Sequence, residues 1–209
     1  AKQEGFTEII IKCGGGDKVF YKDSLFDTFY NQARAAGLNI VGVYFFGYAF
    51  SEAEAIREAN YAMSLLQGKD IKYIFYDVEG KMLNQGYTHL TNIIKAFCQT
   101  VTVAGYQAGV YSSESQFNSR FRDFDLKQYV HWVARYSKSA PKLNSGAMID
   151  DICREAGCDA PTAFRFRDKQ AGGWPGAITV TDGEGVHELP NKYRHRIKPV
   201  YECHRCLMC

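Results

Sequence analysis

Apolar positions along residues 6–136 fall into two alternating rhythms. Phe6-Thr7-Glu8-Ile9-Ile10-Ile11-Lys12-Cys13 is a β-branched run closed by Gly14-Gly15-Gly16-Asp17, which predicts a strand and a loop. From Ser24 to Ala36, Leu25, Phe26, Phe29, Tyr30 and Ala33 recur at helical spacing, and Gly37 supplies the C-cap. Asn39-Ile40-Val41-Gly42-Val43-Tyr44-Phe45-Phe46 is almost continuously apolar, the pattern of a parallel strand buried on both faces. Ser51 followed by Glu54 is a capping-box signature that opens a helix through about Leu66, ended by Gly68. A second apolar strand, Tyr73-Ile74-Phe75-Tyr76-Asp77-Val78-Glu79-Gly80, follows. Leu90, Ile93, Ile94 and Phe97 then share one face of a helix from His89 to Thr100. Gln107–Tyr111 reads as a strand, Gln116–Phe121 as a short helix and Tyr129–Tyr136 as another strand. Strand and helix alternate, so the pattern predicts a parallel α/β layout built from βαβ units.

Composition narrows the function classes. Hydrophobic residues make up 46% of the 209 residues and charged residues 23%, the balance of a globular domain with material for a sizeable core. A formal charge of +2 gives no argument for nucleic acid. No stretch approaches the length of a membrane span, and no signal-peptide core precedes Phe6. Aromatic residues reach 14%, suited to a dense core or to a carbohydrate-binding groove. Seven cysteines exclude a complete internal disulfide set; Cys13 and Cys98 read as buried free thiols, while Cys153 and Cys158 could pair.

The candidate chemistry is the strand end Asp77-Val78-Glu79. Side chains alternate faces along a strand, so the two acids point the same way, with Cα atoms roughly 6–7 Å apart. Two carboxyl groups so close resist ionising together, and one can stay protonated as a general acid while the other remains charged. Ligands bind at the C-terminal ends of parallel strands. That rule gathers Tyr44 to Phe46, Asp77, Glu79, Tyr111, Trp132 and Tyr136 around one mouth. The triple glycine at Gly14–Gly16 lacks the Lys-Ser/Thr of a phosphate loop. Cys203, Cys206 and Cys209 with His204 and His195 could ligate zinc, but structural zinc sites usually pair two separated ligand hairpins and only one cluster is present. No metal or cofactor is therefore assigned.

An ordered set of segments resembles the family-25 glycoside hydrolases, lysozymes that cleave the bond between N-acetylmuramic acid and N-acetylglucosamine. Glu8–Lys12 resembles the family's second strand and Lys22–Phe26 its "kDs-F" helix start. Ala33–Leu38 with Gly42–Tyr44 resembles the next helix and strand, Ser51–Ala55 the following helix start, and Tyr76–Glu79 the D-x-E strand. Gly109–Ser113 and Trp132–Tyr136 resemble the later strands. The resemblance implies an irregular, TIM-like β/α barrel acting with net retention on bacterial peptidoglycan, outside the cell or released at host lysis as a phage endolysin would be. It implies Glu79 as proton donor, Asp77 as a second acid, and Tyr44, Phe46, Tyr111, Trp132 and Tyr136 as sugar-contacting residues. Trp174–Asp182 can be laid on the family's last strand, which would make Asp182 a further acid. The family's first strand, with an acid in a segment like "G-I-D-v-S", has no counterpart before Phe6. The expectation is a catalytic domain over residues 1–190, truncated at its start, with an open edge at the Glu8 strand, and a divergent cysteine-rich tail over residues 191–209.

Overall fold

The computed structural model describes residues 8–16, 19–134 and 143–144, together with the backbone of 179–182, 185–188 and 197–200. Five parallel strands form the frame: β1 (Glu8–Gly15), β3 (Asn39–Phe46), β4 (Tyr73–Asp77), β5 (Gln107–Ser113) and β6 (Val130–Ala134). They neighbour one another in chain order, β1-β3-β4-β5-β6, with no reversal. Helices α1 (Phe26–Ala35), α2 (Glu52–Ser64), α3 (Tyr87–Val103) and α4 (Glu114–Ser119) each bridge successive parallel strands. Sequential parallel order with a crossover helix at each step is the wall of a β/α barrel rather than a doubly wound sheet. Among the described residues the wall does not close.

Each strand is buried on both faces, as its unbroken apolar pattern predicts. The helix-facing side carries the larger core, in which Ile11, Val43, Phe45, Ile74, Tyr76, Val110 and Val133 meet Phe29, Ala59, Ile94 and Phe97. Tyr76 stacks on Phe97 with ring centroids 3.9 Å apart and planes 8° from parallel. The opposite face holds a second cluster of Ile10, Val41, Tyr44, Tyr73, Phe75, Tyr111, Val130, Trp132 and Ala134. Trp132 is its hub, with ring centroids 4.6 Å from Tyr111, 5.4 Å from Phe75 and 6.0 Å from Tyr44. Burying one such ring stabilises the fold by roughly 1.5–3 kcal/mol. Gly109 makes room for it: a Cβ there would collide with the Phe75 ring.

Helix termini follow the local signals. The Ser51 side chain accepts from Glu54 N at 3.3 Å, and Glu54 Oε2 reaches back to Phe50 N at 2.7 Å. The return bond thus lands one residue earlier than a standard capping box. Gly37 and Gly68 follow α1 and α2 with φ of 68° and 72°, the left-handed region that glycine enters without a Cβ penalty.

Two features differ from expectation. The edge of β1 is not bare. Strand β9 (Ile197–Val200) pairs antiparallel with Glu8–Ile11, and β2 (Tyr21–Lys22) pairs with Gly14 and Gly15. Backbone donors and acceptors on that edge are satisfied from later and neighbouring chain, and Pro199 is tolerated because β9 is itself an edge. Four residues of the segment read as tail therefore belong to the main sheet. The triple glycine serves packing: a Cβ on Gly14 would strike the Tyr21 carbonyl and one on Gly16 the Glu58 carboxyl. Cys13 and Cys98 are buried free thiols, and burial pushes Cys13 up to about 12, so neither is a nucleophile at neutral pH.

Glu58 on α2 is an acid inside the helix-facing core, 2% exposed. Its Oε2 accepts the Tyr76 hydroxyl at 2.5 Å and its Oε1 accepts Tyr48 N at 2.9 Å. Burial raises its pKa from 4.5 to about 7 despite those bonds. The folded state therefore holds this proton more tightly than the unfolded chain does. The resulting stabilisation is complete below about pH 4.5 and is lost as pH rises through about 7. Denaturant titrations across that window should show stability falling by an amount on the order of 3 kcal/mol at most. In Glu58→Gln that slope should vanish, and an unchanged slope would assign it to other groups.

Candidate active site

Register across the sheet aligns the candidate residues. Gly15 pairs with Phe46, Phe46 with Asp77, Asp77 with Tyr111, and Tyr111 with Trp132. One row at the C-terminal end of the strands thus carries Phe46, Asp77, Tyr111 and Trp132. Tyr44 lies in the row below, paired with Lys12 and Phe75. Residues in one row of a parallel sheet share a face, and this is the face opposite the helices.

The acids sit at the end of that face. Asp77 closes β4 and is 1% exposed. Val78 follows with its side chain in the helix-facing core, and Glu79 comes next at φ −141°, ψ −179°. Glu79 is half-buried, two residues past Asp77 and directly before the 3-10 turn Gly80–Asn84. The peptide between the acids is held from β5: Val78 N donates to Tyr111 O at 2.9 Å and the buried Ser112 hydroxyl donates to Val78 O at 2.8 Å. Gly47 N donates to Asp77 O at 3.0 Å from the other side. Asp77 is therefore fixed by backbone bonds to both neighbouring strands. Two acids two residues apart at a strand end suit proton transfer and stabilisation of a developing cation.

The aromatic residues divide. Tyr44, Tyr111 and Trp132 are buried, packed on one another as a floor beneath the acids. The expectation that they line an open mouth gives way to a supporting position in this structure, because a barrel-type interior this crowded has to be filled by side chains. Burial, with the Asp77 charge next in size, pushes the Tyr44 phenol well above its usual range, so it stays a neutral hydroxyl. Phe46 is half-buried and reaches the rim. Asp182 ends β7 (Thr179–Asp182), which pairs antiparallel with β8 (Gly185–Glu188) in a separate two-stranded sheet. The Asp182 side chain, Tyr136 and the cysteines of the tail lie outside the described residues. Among the described residues no group of three or more His, Cys, Asp or Glu side chains is arranged to hold a metal ion.

Two neighbours of the site carry signals that residue-by-residue reading passes over. Lys12 is the one charged residue in the apolar run Ile9–Cys13 and has the parity of Ile10, which puts it on the interior face. Its Nζ lies 5.1 Å from the Phe46 ring centroid and 5.8 Å from that of Tyr21, a cation held over aromatic faces at the rim. Ser112 sits on the other parity, and only the paired strand reveals its carbonyl partner.

The family model described as glycosyl hydrolases family 25 matches residues 1–154. No curated protein sequence matches the chain. Several solved structures share its fold. The CTP1L endolysin superposes with a TM-score of 0.59 at 24% identity, covering 69% of this chain and 50% of that one. The modular autolysin LytC from Streptococcus pneumoniae gives a TM-score of 0.59 at 26% identity, covering 66% of this chain and 34% of that one. The modular Cpl-1 endolysin, solved as a mutant in complex with a tetrasaccharide-pentapeptide, gives 0.56 at 21% identity over 91% of this chain and 57% of that one. The chain thus spans half or less of the length of the first two. On the family match, with acids at the strand ends of a β/α wall, the chain belongs to the glycosyl hydrolases of family 25.

Proposed function

We propose that the chain is a peptidoglycan muramidase that hydrolyses the β-1,4 bond between N-acetylmuramic acid and N-acetylglucosamine. The observation that supports this reading is Asp77 buried at the end of β4 with half-buried Glu79 two residues on, in a chain that matches the family model. The accessible Glu79 protonates the leaving glycosidic oxygen. The buried Asp77, held on a rigid strand, stabilises positive charge developing at the sugar without reorganising. Lys12, Phe46 and Tyr21 form the nearest rim on which a glycan would lie. Asp182 is proposed as a further acid of the site, and residues 1–190 as the catalytic unit. An enzyme of this kind meets its polymer outside the cell or after release at lysis.

A second reading, a wall-binding barrel without turnover, draws on β9 occupying the β1 edge and on the hydrogen bonding of β7 apart from the main sheet. Saccharide binding with no new reducing ends would favour it.

Incubation with purified cell walls should release reducing ends, and Glu79→Gln should lower that rate by about 10²–10⁴-fold, the usual contribution of a general acid. The variant should keep the wild-type unfolding midpoint; undiminished release would remove Glu79 from the mechanism. Ser112→Ala frees the Val78 carbonyl and loosens the peptide between the acids. It should lower kcat by roughly tenfold while KM stays near its original value, because a misplacement of about 1 Å can cost on the order of 10²-fold in rate. A change confined to KM or to thermal stability would count against the positioning role.

A further inference from the structure

On the helix side of the strand ends lies a cleft of about 600 Å³ lined by Phe20, Tyr48, Phe50, Glu54, Arg57, Glu58 and Lys81. Its size falls within the roughly 300–1,000 Å³ of small-ligand sites. The cleft adjoins the row that carries Asp77: the Tyr48 ring lies 5.1 Å from Phe46, and Lys81 follows Glu79 by two residues.

Its groups are unevenly committed. Glu58 forms the floor, and its oxygens already accept the Tyr76 hydroxyl and Tyr48 N. Glu54 Oε2 accepts Phe50 N, and its Oε1 faces Arg57. The acids therefore shape the 47–50 loop and have little capacity left to bind a cation. The cations are less engaged. Arg57 stands 3.9 Å from Glu54, beyond a hydrogen bond, and Lys81 has no acidic partner among the described residues. Phe50 is 51% exposed, an aromatic face open to solvent beside them.

We infer that this cleft is an accessory subsite for an anionic saccharide, its ring lying on Tyr48 and Phe50 and its carboxylate or phosphate held by Arg57 and Lys81. Aromatic faces present apolar area at low entropic cost, and the planar guanidinium donates two parallel bonds to an oxyanion. The cleft depends on the muramidase reading only for which saccharide reaches it. If the anion is a carboxylate, the source is the muramic acid of the glycan being cleaved; if it is a phosphate, the source is a phosphate-bearing wall polymer.

Titration calorimetry of the full chain with N-acetylmuramic acid, N-acetylglucosamine and poly(glycerol phosphate) separates these cases. The first two share a ring and differ in the lactyl carboxylate. N-Acetylmuramic acid should bind about tenfold more tightly than N-acetylglucosamine at low salt, with the preference shrinking at high salt. Arg57→Ala combined with Lys81→Ala should abolish it, while Glu79→Gln should not. Binding of the polymer alone, lost in the same double variant, would support the subsite and make the anion a phosphate. Equal affinities with polymer binding untouched by the double variant, a preference that survives it, or no binding of any probe would overturn the inference. Wall hydrolysis is scored separately, so loss of turnover with retained anion binding removes the muramidase reading and leaves the subsite standing.

Discussion

The parallel ladder is the constraint on which the site depends. Strands β3, β4, β5 and β6 are paired in one continuous register that lines up Phe46, Asp77, Tyr111 and Trp132, and β1 joins β3 with shifts at Ile9/Ile10 and Lys12/Gly14. A slip of one residue in β4 would turn Asp77 into the helix-facing core and Tyr76 onto the floor of the mouth. Each alternative buries a carboxyl among apolar side chains and strands a large ring, so hydrophobic burial on two faces holds the acids in place. The interior aromatic cluster around Trp132 and the stack of Tyr76 on Phe97 are the two halves of that lock.

Polar groups then fix the loops that the ladder leaves free. Ser112 and the Tyr111 carbonyl hold the Val78 peptide, so the link from Asp77, the last ladder residue of β4, to Glu79 is tied to β5. On the outer side Glu58 does the same for the turn after β3, tying Tyr48 to α2 and Tyr76. A buried carboxyl is an unfavourable choice on solvation grounds, and its raised pKa records that cost. It holds three elements together at the wall's rim, and the cleft on the helix side of the strand ends takes its shape from that bond set.

Much of this was legible from spacing. The unbroken apolar run Asn39–Phe46 and the capping pair Ser51 and Glu54 appear in the structure as read, and the strand expected over Tyr73–Gly80 ends three residues sooner, at Asp77. They were readable because each rests on local periodicity or on a bond within one turn. The sequence placed the two acids at this strand end, and in the structure Asp77 closes β4 while Glu79 lies two residues past it. The aromatic residues were harder. Spacing located Tyr44, Tyr111 and Trp132 near the strand ends, but depth within a packed interior is set by neighbours on other strands, and all three lie beneath the surface. Lys12 and Ser112 carried faint signals, a lone charge in an apolar strand and a small polar residue in another.

Alone, the sequence determined the element order and the parallel α/β class, because both follow from patterns a few residues long. Only the tertiary structure decided what covers the β1 edge. The partner is Ile197–Val200, nearly the whole chain away, and pairing between distant segments leaves no periodic trace. It likewise decided that the triple glycine makes room for Tyr21 and Glu58, since close approach of backbone is a property of two segments and never of one.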